Sequence, residues 1–378
     1  MRIRWCLLMA MIFSGMAFAD ITELPEPPAK TDKLFGGINF SGYLDTSLNY
    51  LIQSNHFTSG IIDRTNDLEP NGFTLHQLAI TLTKQPPEGF GGVFHGFIGR
   101  DAFNLASYGF NPSTGVVKNI GYDIPQAFLQ YAKKSWVVMV GEFYSQAGIE
   151  TDNPTQDTNF SRNIISGFIE PGSLLGARAT YVVNNKFSVY GGVNNGWDNI
   201  ADTSRAKTLE LGAAYTTPFI TYSMVIYSGS ERAGPRTSMG PVGRRTLIDF
   251  FTIINATDKL SFIVNYDYFW QMKAALPNNT IAKALAQGIA GYINYKFNDK
   301  LQTSLRAEMM YDQNGFVTGV RQNWREITLT LGITPIKNLE FRFETRRDLS
   351  NVASFAKKSG GGASNNNQSF AVEGLFKF

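Results

Sequence analysis

The chain has 378 residues, of which 43% are hydrophobic, 13% are aromatic and only 17% are charged. Soluble domains usually carry about 25% charged residues, so this composition is poor in charge for a soluble protein. The 34 Lys and Arg residues nearly balance the 31 Asp and Glu residues, and this balance gives no argument for binding nucleic acid.

The N-terminus has the pattern of a secretory signal peptide. Arg2 and Arg4 provide a positive start, and residues 6–13 form an apolar run that is too short to span a bilayer. Ala17-Phe18-Ala19 is a small-x-small cleavage site, which predicts removal of residues 1–19. The single cysteine would be removed with them, so we expect no disulfide, thiolate metal site or cysteine nucleophile.

The mature chain reads as β-strands almost throughout. Residues 20–34 are rich in proline and are expected to form a short periplasmic lead-in. From residue 35 onward, apolar and polar residues alternate with the period of two that is typical of strands. No apolar run approaches the roughly eighteen residues that indicate a membrane-spanning helix. The predicted strands are 35–52, 72–83, 90–101, 122–132, 136–146, 173–183, 187–196, 206–216, 219–229, 246–255, 260–271, 287–297, 301–312, the two arms of a hairpin over 323–349, and 367–378.

Short turns and long links alternate between these strands. The long links are 53–71, 102–121, 147–172, 197–205, 230–245, 272–286, 313–322 and 350–366. Outer-membrane barrels have short periplasmic turns, longer extracellular loops and an even number of strands. The pattern therefore predicts an all-β fold over residues 35–378, a single transmembrane antiparallel barrel of about sixteen strands. The alternative, a soluble β-sandwich or propeller, would have strands of about five or six residues and no sorting of its links by length.

Two local predictions follow from the pattern. If Ile333 pairs with Leu339 across the turn at 335–338, then Glu326 lies opposite Arg346, and a cross-strand position favours such an opposite-charge pair. The link 272–286 contains several Ala and Leu residues. These residues predict a short helix, capped by the Asn or Thr of Asn279-Thr280.

The last predicted strand, 367–378, is apolar on one face. Phe370, Val372, Phe376 and Phe378 share that face. A strand that closes on Phe resembles the C-terminal signature of bacterial outer-membrane barrels, and the resemblance implies that Phe376 and Phe378 are read by the barrel-assembly machinery. We therefore expect deletion of Phe378 to block membrane assembly.

Signal peptide, alternation and terminal strand together resemble bacterial outer-membrane porins, most nearly the beta-barrel porin-2 (OmpL-like) family, over residues 35–378. The resemblance implies an outer-membrane protein of Gram-negative cells that lets small hydrophilic solutes pass by diffusion, without a cofactor. It further implies a homotrimer in contact with membrane lipid and lipopolysaccharide.

A barrel of sixteen to eighteen strands leaves an aqueous channel, so its inner face should be polar. The strand positions that are expected to face inward include charged residues of both signs. These residues are candidates for the pore lining: Arg178, Glu210, Asp267, Arg306, Glu308, Glu340, Arg342, Glu344 and Arg346. Either these charges only solvate the lumen and pair with one another, or some of them set ion selectivity.

The longest link, 147–172, is the third long loop. In the sixteen-stranded porins that this sequence resembles, the third loop narrows the pore. The candidates for the constriction in this loop are Glu150, Asp152, Asp157, Arg162 and Glu170. We expect its acids to face wall arginines such as Arg178, Arg306 and Arg342, unless the loop is simply solvated at the surface.

Two other functions remain open from the sequence. The barrel could be a scaffold that presents its loops for binding or adhesion. A barrel hydrolase acting on lipid would need a Ser–His pair on the lipid face, for which His76 or His95 could serve, although no motif marks a nucleophile. The three histidines show no metal-ligand spacing, so we predict neither a metal site nor an enzyme.

Overall fold

The structure is a computed structural model, and it describes residues 33–34, 37–52, 64, 71–107, 120–202, 204–232, 240–356 and 362–378. The predicted signal peptide and all but the last two residues of the predicted lead-in lie outside the described residues. So do most of the links 53–71 and 102–121.

The described residues form sixteen long β-strands, as the alternation predicted. They are β1 Ile38–Leu51, β2 Asn71–Lys84, β3 Gly89–Gly99, β4 Gly121–Lys133, β5 Trp136–Tyr144, β6 Ser173–Val182, β7 Phe187–Asn194, β8 Thr208–Thr216, β9 Ile220–Arg232, β10 Val242–Asn255, β11 Leu260–Ala275, β12 Ile281–Asn298, β13 Leu301–Asp312, β14 Gln322–Ile336, β15 Leu339–Ser350 and β16 Asn366–Lys377.

The sixteen strands close into a barrel. Each strand pairs antiparallel with its neighbours in sequence, and β16 pairs with β1 from Ser369–Leu51 to Lys377–Tyr43. Closure leaves no free edge among these strands, so their backbone groups can hydrogen-bond to one another within a lipid bilayer. The two-residue strand Lys33–Leu34 pairs with the start of β1.

The two faces of the barrel differ in the way that the alternation predicted. On β16, Phe370 and Phe376 are 47% and 40% exposed, whereas Glu373 between them is 1% exposed. An outer apolar face and an inner polar face are typical of membrane barrels.

Helical structure is limited to short segments in the links. They are α1 Ala102–Leu105, α2 Ile164–Phe168 and the 3₁₀ turn Pro154–Gln156. None of the helices in the described part of the chain is long and apolar enough to span a membrane. In the last long link, Phe355–Ala356 pairs with Ala363–Ser364.

The prediction of a helix in the link 272–286 was wrong. Strand β11 continues to Ala275 and β12 begins at Ile281, so only a short turn over 276–280 separates them. The Ala residues that favoured a helix are instead inward-facing strand residues, and Ala284 and Ala286 are almost completely buried. Strand pairing here overrides local helix propensity.

The predicted register of the hairpin over 323–349 was also wrong, by two residues. Ile333 pairs with Phe341, and Ile336 pairs with Leu339 after an irregularity in the ladder. Pro335 does not end the strand, because the irregularity accommodates a residue that lacks an N–H. Arg346 consequently lies opposite Thr328 rather than Glu326.

Candidate functional site

The interior of the barrel is the candidate site, because the predicted charged residues converge there. All nine wall candidates are inward-facing and buried: Arg178 on β6, Glu210 on β8, Asp267 on β11, Arg306 and Glu308 on β13, and Glu340, Arg342, Glu344 and Arg346 on β15. Strand alternation therefore predicted on which side of the sheet they lie.

The link 145–172, called loop 3 below, folds into the barrel instead of lying on its surface. Ile164 and Ile165, at the start of α2, are 2% and 0% exposed. Their backbone N–H groups donate to the two carboxylate oxygens of Glu308, at 2.6 and 2.7 Å. The backbone N–H groups of Phe160 and Ser161 donate to Glu344 of the wall in the same way, at 2.8 and 3.0 Å. Through these four backbone hydrogen bonds the two glutamates hold the loop against β13 and β15.

Arg306 is the centre of the contact between loop 3 and the wall. Its guanidinium lies 2.6 Å from the carboxylate of Glu150 in the loop and 2.7 Å from that of Glu326 on β14. It also donates to the backbone carbonyl of Ser161 at 2.6 Å. Arg306 is 0% exposed, and this burial is tolerable because its charge is paired and its donors are used.

Two further wall arginines bind the backbone of loop 3. Arg346 donates to the carbonyl of Arg162 at 2.6 Å, and Arg342 donates to that of Pro154 at 3.1 Å. Each also has an acidic partner on the wall, Asp348 for Arg346 at 2.8 Å and Glu373 for Arg342 at 3.1 Å.

The five loop candidates have different partners. Glu150 meets Arg306, while Asp157 pairs with Arg162 within the loop at 2.9 Å. The backbone carbonyl of Asp152 accepts from Gln77 on β2 at 2.9 Å, and Glu170 approaches β10 and β11.

The expected pairing of loop acids with wall arginines occurs for one arginine of the three. Arg306 binds Glu150, as described above. Arg178 pairs instead with Glu210 on β8 at 2.8 Å. Arg342 pairs with Glu340 and Glu373, which also lie on the wall. The wall charges therefore neutralise one another to a large extent.

Asp157 is a loop acid whose pKa burial shifts toward neutral pH. Burial raises the pKa of its carboxyl to about 7, although the neighbouring Arg162 guanidinium opposes the shift.

Acidic side chains clearly outnumber arginines among the buried residues of the described chain. The buried acids are Asp45, Asp101, Asp123, Glu142, Glu150, Asp157, Glu170, Asp198, Glu210, Glu231, Asp249, Asp267, Glu308, Asp312, Glu326, Glu340, Glu344, Asp348 and Glu373, and the buried arginines are Arg64, Arg162, Arg178, Arg245, Arg306, Arg342 and Arg346.

A β-bulge on β2 turns two consecutive residues inward, which the alternation did not predict. His76 is the extra residue between Leu75 and Gln77, so both His76 and Gln77 point inward. The apolar parity of β2 changes between Leu75 and Leu78, and this change was the available sequence signal. His76 lies 2.7 Å from Ser47 Oγ and 2.7 Å from Asp101 Oδ1.

His76 and His95 are 3% and 1% exposed and both face the interior. Neither lies on the lipid face, where the hydrolase alternative required a histidine.

Arg64 of the first long link was also missed. Its guanidinium lies 2.6 Å from Asp348 and donates to Ser369 at 2.7 Å. A single basic residue in an irregular link carries no periodic signal from which this contact could be predicted.

A closed sixteen-strand barrel with a charged interior and an inserted third loop defines a porin of the outer membrane. The chain belongs to the family described as "Putative beta-barrel porin-2, OmpL-like", whose model matches residues 37–378. No curated protein matches the chain.

Solved structures share the fold at low identity. The outer membrane channel DcaP of Acinetobacter baumannii has a TM-score of 0.61 and 13% identity, with 90% of this chain and 97% of that chain covered. The trimer form of OmpT from Vibrio cholerae has a TM-score of 0.59 and 11% identity, covering 90% and 99%. An anion-selective porin from Comamonas acidovorans has a TM-score of 0.57 and 12% identity, covering 90% and 99%.

Proposed function

We propose that this chain is an outer-membrane channel through which small hydrophilic solutes diffuse passively, without catalysis. The observation that carries the proposal is the closed sixteen-strand barrel whose inner face is polar and charged. A barrel of this size encloses more space than its own wall side chains fill, so it supports an aqueous path.

Loop 3 forms the constriction of this channel in our proposal. It lies inside the barrel against β13 and β15, where Glu308, Glu344 and Arg306 bind it. The remaining path would pass between the loop and the opposite wall. The width of that path would then limit the size of the solutes.

The channel should prefer cations, because the buried acids outnumber the buried arginines. The solved structure of an anion-selective porin shares the fold at 12% identity, and such a likeness carries no information about the charges in this lumen. The reversal potential in a KCl gradient should therefore have the sign of potassium selectivity.

Liposome swelling tests the proposal for passage of solutes. Liposomes that contain the purified chain should swell in iso-osmotic solutions of neutral solutes, and the rate should fall as solute size rises. Absence of swelling, with the barrel folded, would favour the alternative in which the barrel is a scaffold for binding loops.

The same proposal includes the cellular context. We infer export by cleavage after residue 19, assembly by the machinery that reads Phe376 and Phe378, and contact with lipid and lipopolysaccharide. A homotrimer is supported by the trimer form of the similar OmpT. Light scattering of the detergent-solubilised protein should give three chains per particle, and a mass for one chain would refute the trimer.

One arrangement of side chains resembles the site of a second candidate function, hydrolysis inside the lumen. Ser47, His76 and Asp101 are linked by two contacts of 2.7 Å, in the order of a serine hydrolase triad. Ser47 is 3% exposed, and the ring of Phe160 in loop 3 packs on His76 at 5.3 Å. Because a substrate cannot reach Ser47 in this arrangement, we expect no labelling by a fluorophosphonate probe. Labelling that Ser47→Ala abolishes would favour the hydrolase.

A further inference from the structure

Three carboxylates meet inside the barrel where loop 3 ends. Asp249 on β10 and Asp267 on β11 are direct cross-strand neighbours, and Glu170 of loop 3 approaches both. One oxygen from each of the three carboxylates lies within 4.8 Å of the other two. Asp249 and Asp267 are 0% exposed, and Glu170 is 9% exposed.

Asp267 is directed into this group, and neither of its carboxylate oxygens accepts a hydrogen bond from a donor outside the three acids. One oxygen of Asp249 and one of Glu170 also lack a hydrogen-bond partner. Within the described ranges, none of the ion pairs includes any of the three acids. Like charges so close together and so far from water repel strongly, so the group must either bind a cation or take up protons.

We propose that Glu170, Asp249 and Asp267 bind a calcium ion, a site that goes beyond the channel function. Calcium takes oxygen ligands at 2.3–2.6 Å, so opposite ligands can be about 5 Å apart, which agrees with the spacing of these oxygens. Magnesium requires about 2.1 Å and strict octahedral geometry, and the group offers no nitrogen or sulfur ligand for zinc.

Neighbouring groups orient the ligands. The side-chain amide of Asn265 donates to the second oxygen of Asp249 at 2.7 Å, and its carbonyl accepts from the backbone N–H of Ile149 at 3.0 Å. Gly148 has φ +79°, and a Cβ there would lie 1.8 Å from a Glu170 oxygen. The absence of a side chain at Gly148 thus leaves room for Glu170. A bound ion would connect the end of loop 3 to β10 and β11.

Calcium binding should be measured by isothermal titration on full-length protein refolded in detergent without lipopolysaccharide, because lipopolysaccharide itself binds calcium. The protein is first stripped with EDTA and then titrated with CaCl₂ at neutral pH. We expect one saturable site per chain. Asp267→Asn should weaken it at least tenfold, whereas Asp258→Asn, in an exposed turn, should not change it.

A second measurement does not depend on a variant in the cluster. Amide hydrogen exchange over residues 166–172 of loop 3 should be slower in the wild-type protein with calcium, and EDTA should remove the protection. Gly148→Ala, which displaces Glu170, should abolish the calcium effect. No saturable calcium site at pH 6–8, or equal affinity in Asp267→Asn, would overturn the proposal and leave protons as the neutralising species. Neither result depends on whether the barrel conducts.

Discussion

Gly288 on β12 shows how a missing side chain makes room for loop 3. A Cβ at this position would lie 2.2 Å from Cγ2 of Ile165, which is completely buried. Gly288→Ala should therefore push α2 away from the wall, at a cost of about 1–3 kcal/mol. Loosening of the loop should appear as faster amide hydrogen exchange over residues 160–168 in the folded protein.

Two controls accompany this prediction. Gly291→Ala on the same strand should have no effect, because a Cβ there meets nothing closer than 3.9 Å. The double variant Gly288→Ala/Ile165→Ala should regain protection, since it removes the clash. Unchanged exchange in Gly288→Ala alone would contradict the close packing of loop 3 on β12.

Asp157 gives the lumen a pH dependence near neutrality. Its pKa is raised to about 7, so the carboxyl gains a proton as pH falls from 8 to 6 and the lumen loses a negative charge. Preference for cations, measured as the reversal potential in a KCl gradient, should decrease over this range. Asp157→Asn should remove that part of the pH dependence, and an identical profile in the variant would refute the assignment.

At the scale of an element, β16 closes the barrel, and the aromatic residues Phe376 and Phe378 lie at its end. Phe378 exchanges two backbone hydrogen bonds with Gly42 on β1, at 2.8 and 2.9 Å, and its ring lies where a Cβ of Gly42 would clash. These contacts are few, so deletion of Phe378 should leave refolding in detergent intact. In cells, deletion should block assembly, seen as loss of heat-modifiable gel mobility.

The two assays separate the roles of Phe378. Normal heat-modifiable mobility of the truncated chain in cells would count against the assembly signal. Failure in both assays would show that the residue acts through its contacts with β1.

Strands were predictable from the sequence because alternation is a local property, and it gave their number and the direction of their side chains. Alternation does not encode the exact register, and the hairpin over 323–349 was misjudged by two residues for that reason. Likewise, the Ala residues of β12 have helical propensity, but they pair with β11, and Ala284 and Ala286 are buried there.

At the scale of the whole molecule, loop 3 occupies part of the space that the strands enclose. Its contacts join residues far apart in sequence, such as Glu150 with Arg306 and Phe160 with Glu344. Many of these contacts use backbone N–H or C=O groups of the loop, which no residue pattern reveals. The sequence could therefore predict which residues face inward, but not which of them hold the loop.

Single-channel recording in planar bilayers tests the central claim most directly, with wild-type chain and a variant in which a tight turn replaces residues 146–171. The turn is feasible because Tyr144 pairs with Ser173 and the N–H of Ser145 donates to Gly172 at 2.9 Å. A variant with a shortened link 351–365 is the control. We predict stepwise conductance in the wild type, larger steps without loop 3 and wild-type steps in the control. No steps from the folded wild type, or equal steps without loop 3, would contradict a channel constricted by this loop.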